Sequence, residues 1–393
     1  MMNARRYPGL LAALILAGLT SLPAHATRFA APSVAPNQEQ RLPGRQSTIE
    51  LMFVLDTTGS MGGMLEGAKA KIWGIVNELL QQRNLAGATV RVGLVAYRDR
   101  GDSYVTRVTP LSSNLDTVYA QLMGLQAQGG GDTPEDVRSA MAEALRLGGW
   151  SAPGSNTSQI IFLVGDAPPH DDYRNMPATD TTARNAVQRG IVVNTIQCGD
   201  NRSTRNAWLN VAQNGNGEYF AIAQDGGVEV LVTPYDQELA ELGEQMGGTY
   251  MAYGATDKRR ASQSAQAAME SRVAAAAPSA AKADRALNKV LNARAYDDSD
   301  LVQQAEAGKV ALPKIADAEL PDALRSLPPA QRQAALDQAV EQRKALRERI
   351  KVLSKQRGDY LAKQRSERRA RARSMRRYRL RSRNRSSHRP RDH

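Results

Sequence analysis

The sequence predicts an α/β domain with a largely parallel sheet over residues 47–253, followed by helices and a basic tail. Near-continuous apolar runs recur at Ile49–Leu55, Thr89–Tyr97, Tyr104–Val108, Gln159–Gly165, Ile191–Cys198 and Glu218–Ile222. Segments with apolar residues three and four apart lie between them. Strands buried on both faces and alternating with amphipathic helices belong to a parallel sheet with helices on each side. About 200 residues suffice for one well-buried core.

The chain opens on what reads as an export signal over residues 1–26. Arg5 and Arg6 form a basic region, Leu10–Leu22 an apolar stretch too short to serve as a membrane anchor, and Ala24-His25-Ala26 a cleavage site. Pro8-Gly9 after the arginines favours ordinary export over a twin-arginine route, to a periplasmic or extracellular space. The cleavage site lacks the cysteine that a lipid anchor requires, so lipid anchoring is not expected. Residues 27–46, with Pro32, Pro36 and Pro43, read as a linker.

The first strand ends at Asp56, and a helix starting near Met61 keeps Leu65, Ala68, Ile72, Ile75 and Leu79 on one face. Thr89–Tyr97 and Tyr104–Val108 leave no room for a helix between them, which predicts an antiparallel hairpin at one edge. Val137, Ala140, Met141, Ala144 and Leu145 mark another helix, and Leu239, Leu242 and Met246 a third. Cys198, the single cysteine, sits in a strand and excludes an intramolecular disulfide; it reads as a small buried hydrophobe.

After Gly254 the character changes. Residues 254–325 are Ala-rich and helical in pattern, broken at Pro278, Pro313 and Pro321. Residues 326–363 form a helix opened by Pro328-Pro329. Its seam runs Leu336, Ala339, Arg343, Leu346, Ile350, Leu353, Arg357 and Tyr360, a heptad spacing. Two arginines and an alanine weaken that seam, so it fits either a weak coiled coil or a helix docked on the main domain. Residues 364–393 form an Arg-rich tail expected to be disordered. From Leu361 onward there are thirteen Arg and one Lys against Glu367 and Asp392, so this end holds a charge equal to the +12 of the whole chain. The rest is neutral. Partners for such a tail are anionic envelope polymers or lipid head groups.

Three segments carry candidate chemistry. Asp56, Thr58 and Ser60 form an Asp-x-Thr-x-Ser run where the first strand turns past Gly59. Clustered carboxylate and hydroxyl oxygens suit a hard divalent cation, although the hydroxyls also fit a helix cap. Gly129-Gly130-Gly131 precede Asp132, Thr133, Pro134, Glu135 and Asp136. Pro134 fits a first helical turn, and Thr133 with Asp136 a capping-box variant. The run Ile160–Gly165 ends in Asp166, a second carboxylate at the strand edge where open α/β sheets bind ligands.

Together these residues resemble the von Willebrand factor type A domain and its metal-ion-dependent adhesion site, with Asp56, Thr58, Ser60, Thr133 and Asp166 at the five motif positions. The C-terminal third is also similar to that of bacterial exported proteins carrying such a domain. The resemblance implies a doubly wound sheet of about six strands. It also implies a bound Mg²⁺, with Mn²⁺ or Ca²⁺ as alternatives, and a protein partner that offers a carboxylate. Gly165-Asp166-Ala167-Pro168-Pro169 departs from the commoner Thr-Asp-Gly turn, which leaves the loop shape open.

A binding module is therefore expected rather than an enzyme. His170 is the single histidine of the main domain, so a Ser/His/Asp or Cys/His constellation would depend on it alone. His170, Asp171 and Asp172 read as a solvated loop at the rim, and Asp99 and Asp102 as turn residues. Arg100-Gly101-Asp102 is the integrin-binding tripeptide by sequence, but reads as an ordinary turn.

Overall fold

The computed structural model describes residues 47–81, 88–152, 156–222, 232–292 and 295–386. The expected export signal, the linker and residues 387–393 lie outside them. The chain divides into two compact units, one reaching Glu229 and the other starting at Val230.

The first unit is a six-stranded sheet in the order β3-β2-β1-β4-β5-β6. Its strands are β1 (Thr48–Asp56), β2 (Thr89–Tyr97), β3 (Thr106–Ser112), β4 (Thr157–Gly165), β5 (Ile191–Cys198) and β6 (Tyr219–Ile222). All pairs are parallel except β2 with β3, the expected edge hairpin. β3 begins two residues later than its apolar run and extends to Ser112. The helices are α1 (Leu65–Gln81), α2 (Leu115–Met123), α3 (Val137–Leu147), α4 (Thr179–Gln188) and α5 (Arg202–Asn214).

Side chains alternate across β1. Met52 and Val54 join a core with Val137, Met141 and Ala144 of α3, Ala183 of α4 and Trp208 of α5. Phe53 turns to the other face and stacks on Phe162 at 5.2 Å. Trp73 of α1 meets Tyr119 of α2 edge-on at 4.7 Å. With both faces covered, β1 is apolar along nearly its whole length.

The chain leaves β1 to build β2 and β3 on one side, then returns to lay β4 on the other. β1 and β4 pair in parallel, with Leu55 opposite Val164. That reversal opens a crevice at their carboxyl ends, and Asp56 and Asp166 stand there.

The second unit is helical: α6 (Asp236–Gly248), α7 (Thr256–Ala276), α8 (Ser279–Leu291), α9 (Leu301–Glu306), α10 (Asp322–Arg325) and α11 (Pro329–Ser386). α11 runs well past the heptad region into the Arg-rich segment. Arginine and alanine are good helix formers, and after Gly358 no glycine or proline interrupts the chain before Pro390.

The heptad seam is covered by the chain's own helices. Leu346, Ile350 and Leu353 pack with Leu239, Met246, Ala283 and Ala286, and Leu336 with Leu301, Leu320 and Leu324. The two arginines close the seam. Arg343, fully buried, pairs with fully buried Asp300 and donates to Thr249 Oγ1 at 2.7 Å and Thr249 O at 2.8 Å. Arg357 bridges Asp236 and Asp284, each at 2.6 Å.

Removing one member of a buried pair leaves the other charge uncompensated, at a cost of about 3–5 kcal/mol. Arg343→Met should therefore shift urea unfolding of the second unit by about that much, and adding Asp300→Leu should recover part of it. A single-variant shift below about 1 kcal/mol would show that Asp300 finds another partner.

Candidate metal centre

β1 is buried from Ile49 to Asp56 with an acid near each end, and the two are treated differently. Glu50 accepts hydrogen bonds from Gln159 Nε2 (2.8 Å), Ser151 Oγ (2.5 Å) and Ser151 N (3.1 Å), and pairs with Arg91. Burial pushes its pKa up, but these partners outweigh burial and hold it below the ordinary value. Asp56 has hydrogen bonds but no cation beside it. Its Oδ1 accepts from Thr58 N (2.9 Å) and Thr58 Oγ1 (2.7 Å), while the buried Oδ2 has no hydrogen-bond partner among the described residues. Burial, then the charge of Asp166, push Asp56 up to about 7.

Four of the five expected ligands meet here. Thr58 Oγ1 lies 3.1 Å from Ser60 Oγ, which donates to Asp166 Oδ1 at 3.0 Å. Thr58 precedes a 3-10 turn (Gly59–Gly63), but its hydroxyl caps nothing. The helix-cap reading of these hydroxyls therefore gives way to a carboxylate–hydroxyl cluster. Burial also raises Asp166.

Thr133 stands apart, exposed on its loop. The capping box expected around it does not form. α3 starts only at Val137, and Asp136 caps it alone by accepting from Ser139 N (3.0 Å) and Ser139 Oγ (2.9 Å). Pro134 thus precedes the helix instead of opening it.

Glu135 takes the inward place. Its backbone is strapped to the loop after β4: Glu135 N donates to Pro168 O, and His170 N to Glu135 O, both at 3.0 Å. Its side chain reaches Thr58, and burial, then Asp56 and Asp99, push its pKa up to about 9. Glu135 Oε2 is a second buried oxygen without a partner. Local sequence does not single out Glu135, because the neighbouring Thr133 and Asp136 offer a simpler explanation of the segment.

The glycine loop fits against β1 through Gly59 N to Gly129 O (2.9 Å) and Gln128 N to Thr57 O (3.0 Å). Gly129 and Gly130 have φ of +74° and +76°, and a β-carbon on Gly129 would lie 2.2 Å from Asp102 Oδ1. Asp102 uses that space to accept from Gly130 N at 2.9 Å. Arg100 pairs with Asp136 at 3.0 Å and stacks on Tyr173. Both charged ends of the Arg-Gly-Asp tripeptide are thus engaged within the domain.

Gly165 explains the departure from the Thr-Asp-Gly turn. A β-carbon there would lie 2.4 Å from the Tyr97 hydroxyl and 3.0 Å from Asp56 Oδ2. Tyr97 occupies the room that a larger residue would need. His170, expected in a solvated loop, is buried: stacking on Tyr173 at 4.0 Å pulls its ring inward. Cys198 is buried as expected, and burial pushes its thiol far up.

The profile of the von Willebrand factor A domain family matches residues 50–234. The chain carries a von Willebrand factor A domain. An ariadne-like RING finger protein of Acanthamoeba polyphaga mimivirus is 31% identical over 125 residues, covering 32% of this chain and 12% of that protein. The von Willebrand factor A domain-containing protein 7 of Rattus norvegicus is 32% identical over 203 residues, covering 50% of this chain and 21% of the relative. The chain therefore spans only about an eighth to a fifth of these relatives. A crystal structure of the SpRpn10 VWA domain aligns with 44% of this chain and 88% of its own, at a TM-score of 0.34 and 14% identity.

In this von Willebrand factor A domain the donors are all oxygens, two with buried unshared atoms, and their protons are held too tightly for ordinary carboxylates. That set fits a hard divalent cation. The signs for pH follow. Without metal, Asp56 and Glu135 have folded-state pKa values of about 7 and about 9, above their ordinary values. The folded domain therefore binds more protons than the unfolded chain, and stability falls as pH rises through the window from about 4 to about 9. In chelator, thermal unfolding should come at a lower temperature at about pH 8.5 than at about pH 5, and saturating Mg²⁺ should close the gap. A chelator profile that rises with pH would contradict the cluster's charge state.

Proposed function

We propose that this domain is an exported, divalent-cation-dependent recognition module that binds an acidic residue of a partner protein. Von Willebrand factor A domains mediate protein–protein interactions, and the proposal gives that role its chemistry here. The carrying observation is the hydrogen-bonded cluster of Asp56, Thr58, Ser60 and Asp166 at the mouth of the β1–β4 crevice. These residues would hold Mg²⁺, with Mn²⁺ or Ca²⁺ as alternatives. Glu135 lies close behind them, and Thr133 would join by a rearrangement of the glycine loop. When bound, the ion supplies a Lewis-acidic position that a partner's carboxylate can complete.

The reading is non-enzymatic. The Cys198 thiol is held protonated by burial. The Ser60 hydroxyl donates to Asp166 instead of to a histidine. Among the described residues no helix is long and apolar enough to cross a membrane.

Calorimetric titration with Mg²⁺, and retention of a partner from an envelope extract with and without chelator, test this reading. Asp166→Ala should abolish both on a folded domain. Thr58→Ser should keep both, whereas Thr58→Ala should weaken metal binding by at least about tenfold, or 1.4 kcal/mol. Equal affinity in the two Thr58 variants would make that residue a loop feature only.

A second reading is supported by α11, which continues through the Arg-rich segment as far as Ser386. Such a helix would attach to anionic lipids or envelope polymers, with a steep salt dependence. Removal of residues 364–393 should cancel co-sedimentation with anionic vesicles at low salt and leave Mg²⁺ titration unchanged. Full sedimentation of the truncated chain would eliminate the tail as the anchor.

A further inference from the structure

Beside the oxygen cluster, the rim holds a different set of groups. Asp99 follows β2, Asp132 lies on the glycine loop and His170 follows β4. One ligand atom of each falls within 4.8 Å of the others. His170 Nε2 is 3.6 Å from Asp99 Oδ2 and 3.8 Å from Asp132 Oδ1. His170 is only 7% exposed and Asp99 4%. Yet His170 Nε2 and Asp99 Oδ1 are buried atoms with no hydrogen-bond partner among the described residues. This imidazole nitrogen faces two carboxylates at distances beyond a hydrogen bond.

The surroundings fix how the ring presents itself. His170 Nδ1 lies 2.8 Å from Asp172 Oδ1. With the proton on Nδ1 donated to Asp172, the Nε2 lone pair faces Asp99 and Asp132. A carboxylate behind the distal ring nitrogen is how metal-ligating histidines are oriented. The ring is further held against Tyr173, whose hydroxyl donates to Asp99 Oδ2 at 3.1 Å. Arg100 covers the same tyrosine, its guanidinium 3.6 Å from the ring centre.

We propose that Asp99, Asp132 and His170 form a second cation site, separate from the Asp56–Asp166 cluster, for a borderline ion of the Zn²⁺ class. The nitrogen donor sets the class, since imidazole suits Zn²⁺ and its neighbours whereas Mg²⁺ and Ca²⁺ prefer oxygen alone. Three protein ligands leave a fourth position for water or a ligand. Tetrahedral bonds of about 2.0–2.1 Å put ligand atoms about 3.3 Å apart. The two separations from His170 need only a small contraction. Asp132 can supply it, because its side chain is exposed and follows three glycines.

Zn²⁺ calorimetry and Co²⁺ visible absorption on the full chain test the site, with Mg²⁺ titrated separately. The expected result is one Zn²⁺ equivalent that survives Asp56→Ala, with Co²⁺ absorption typical of nitrogen ligation. Asp132→Asn and His170→Gln should remove it while Mg²⁺ binding persists, and Asp172→Asn should weaken it by about 10–100-fold. Asp132 is exposed, so loss of Zn²⁺ in that variant cannot be ascribed to unfolding. Zn²⁺ affinity unchanged in both Asp132→Asn and His170→Gln would overturn the site. So would the absence of any Zn²⁺ equivalent beyond one lost with Asp56→Ala, which would leave His170 as a packing partner of the neighbouring aspartates.

Discussion

The first unit is organised around carboxylates that its own topology forces together. A sheet that builds outward on both sides of β1 must end β1 and β4 next to each other, and this chain ends both in aspartate. Burial and the nearby carboxylate both disfavour the charged form of Asp56, so the pair is costly to ionise together. Glu135, strapped beneath Thr58 by its backbone, adds a third acid. The neighbourhood is shaped to hold this charge. Gly165 admits Tyr97 beside Asp56, and the glycine loop closes over Thr57 and Gly59. Arg98 braces the turn from beneath by donating to Thr57 O at 3.1 Å and Gln126 O at 2.9 Å.

Elsewhere the same chain meets the problem with its own cations. Glu50 has Arg91, Asp300 has Arg343, and Asp236 and Asp284 share Arg357. Each of these acids sits where a helix or strand must be locked to its neighbour. The crevice acids are unlike them: the described residues put no lysine or arginine in salt-bridge contact with Asp56, Glu135 or Asp166. An acid left without an internal counter-charge, in a chain that compensates Glu50, Asp236, Asp284 and Asp300 with arginines, would suit an external one. This contrast separates recognition from architecture more sharply than the motif does by itself.

Much of the fold was legible because it rests on periodicity. Continuous apolar runs marked the strands, and a short gap marked the hairpin. Asp56, Thr58, Ser60 and Asp166 were legible because strand ends are easily read from sequence. Glu135 was not, since its burial depends on backbone bonds to Pro168 and His170 from a segment more than thirty residues away. His170 was hidden for a related reason: a polar loop residue becomes buried only when Tyr173 and Asp172 fold around it. The seam arginines looked like flaws in a coiled coil because their partners, Asp300 and Asp236, come from helices far apart in sequence. Local pattern fixes elements, whereas the pairing of buried polar groups is a property of the assembled structure.

The glycine loop ties the two candidate ion sites together mechanically. Asp132 and Thr133 are adjacent, so the loop position that sets Asp132 against His170 is also the one that leaves Thr133 exposed. Turning Thr133 toward Ser60 would carry Asp132 with it, because both side chains hang from one short segment pinned at Gly129 and Glu135. The strap at Glu135 holds the far end of that segment, and Gly129 its near end through Gly59. Movement is therefore confined to residues 130–134, where two glycines offer the freedom and Pro134 limits it. An ion that fixed Asp132 would favour the loop position seen here, whereas an ion that recruited Thr133 would favour another. Differential affinity of this kind is what couples two sites, and two ions placed so would oppose each other.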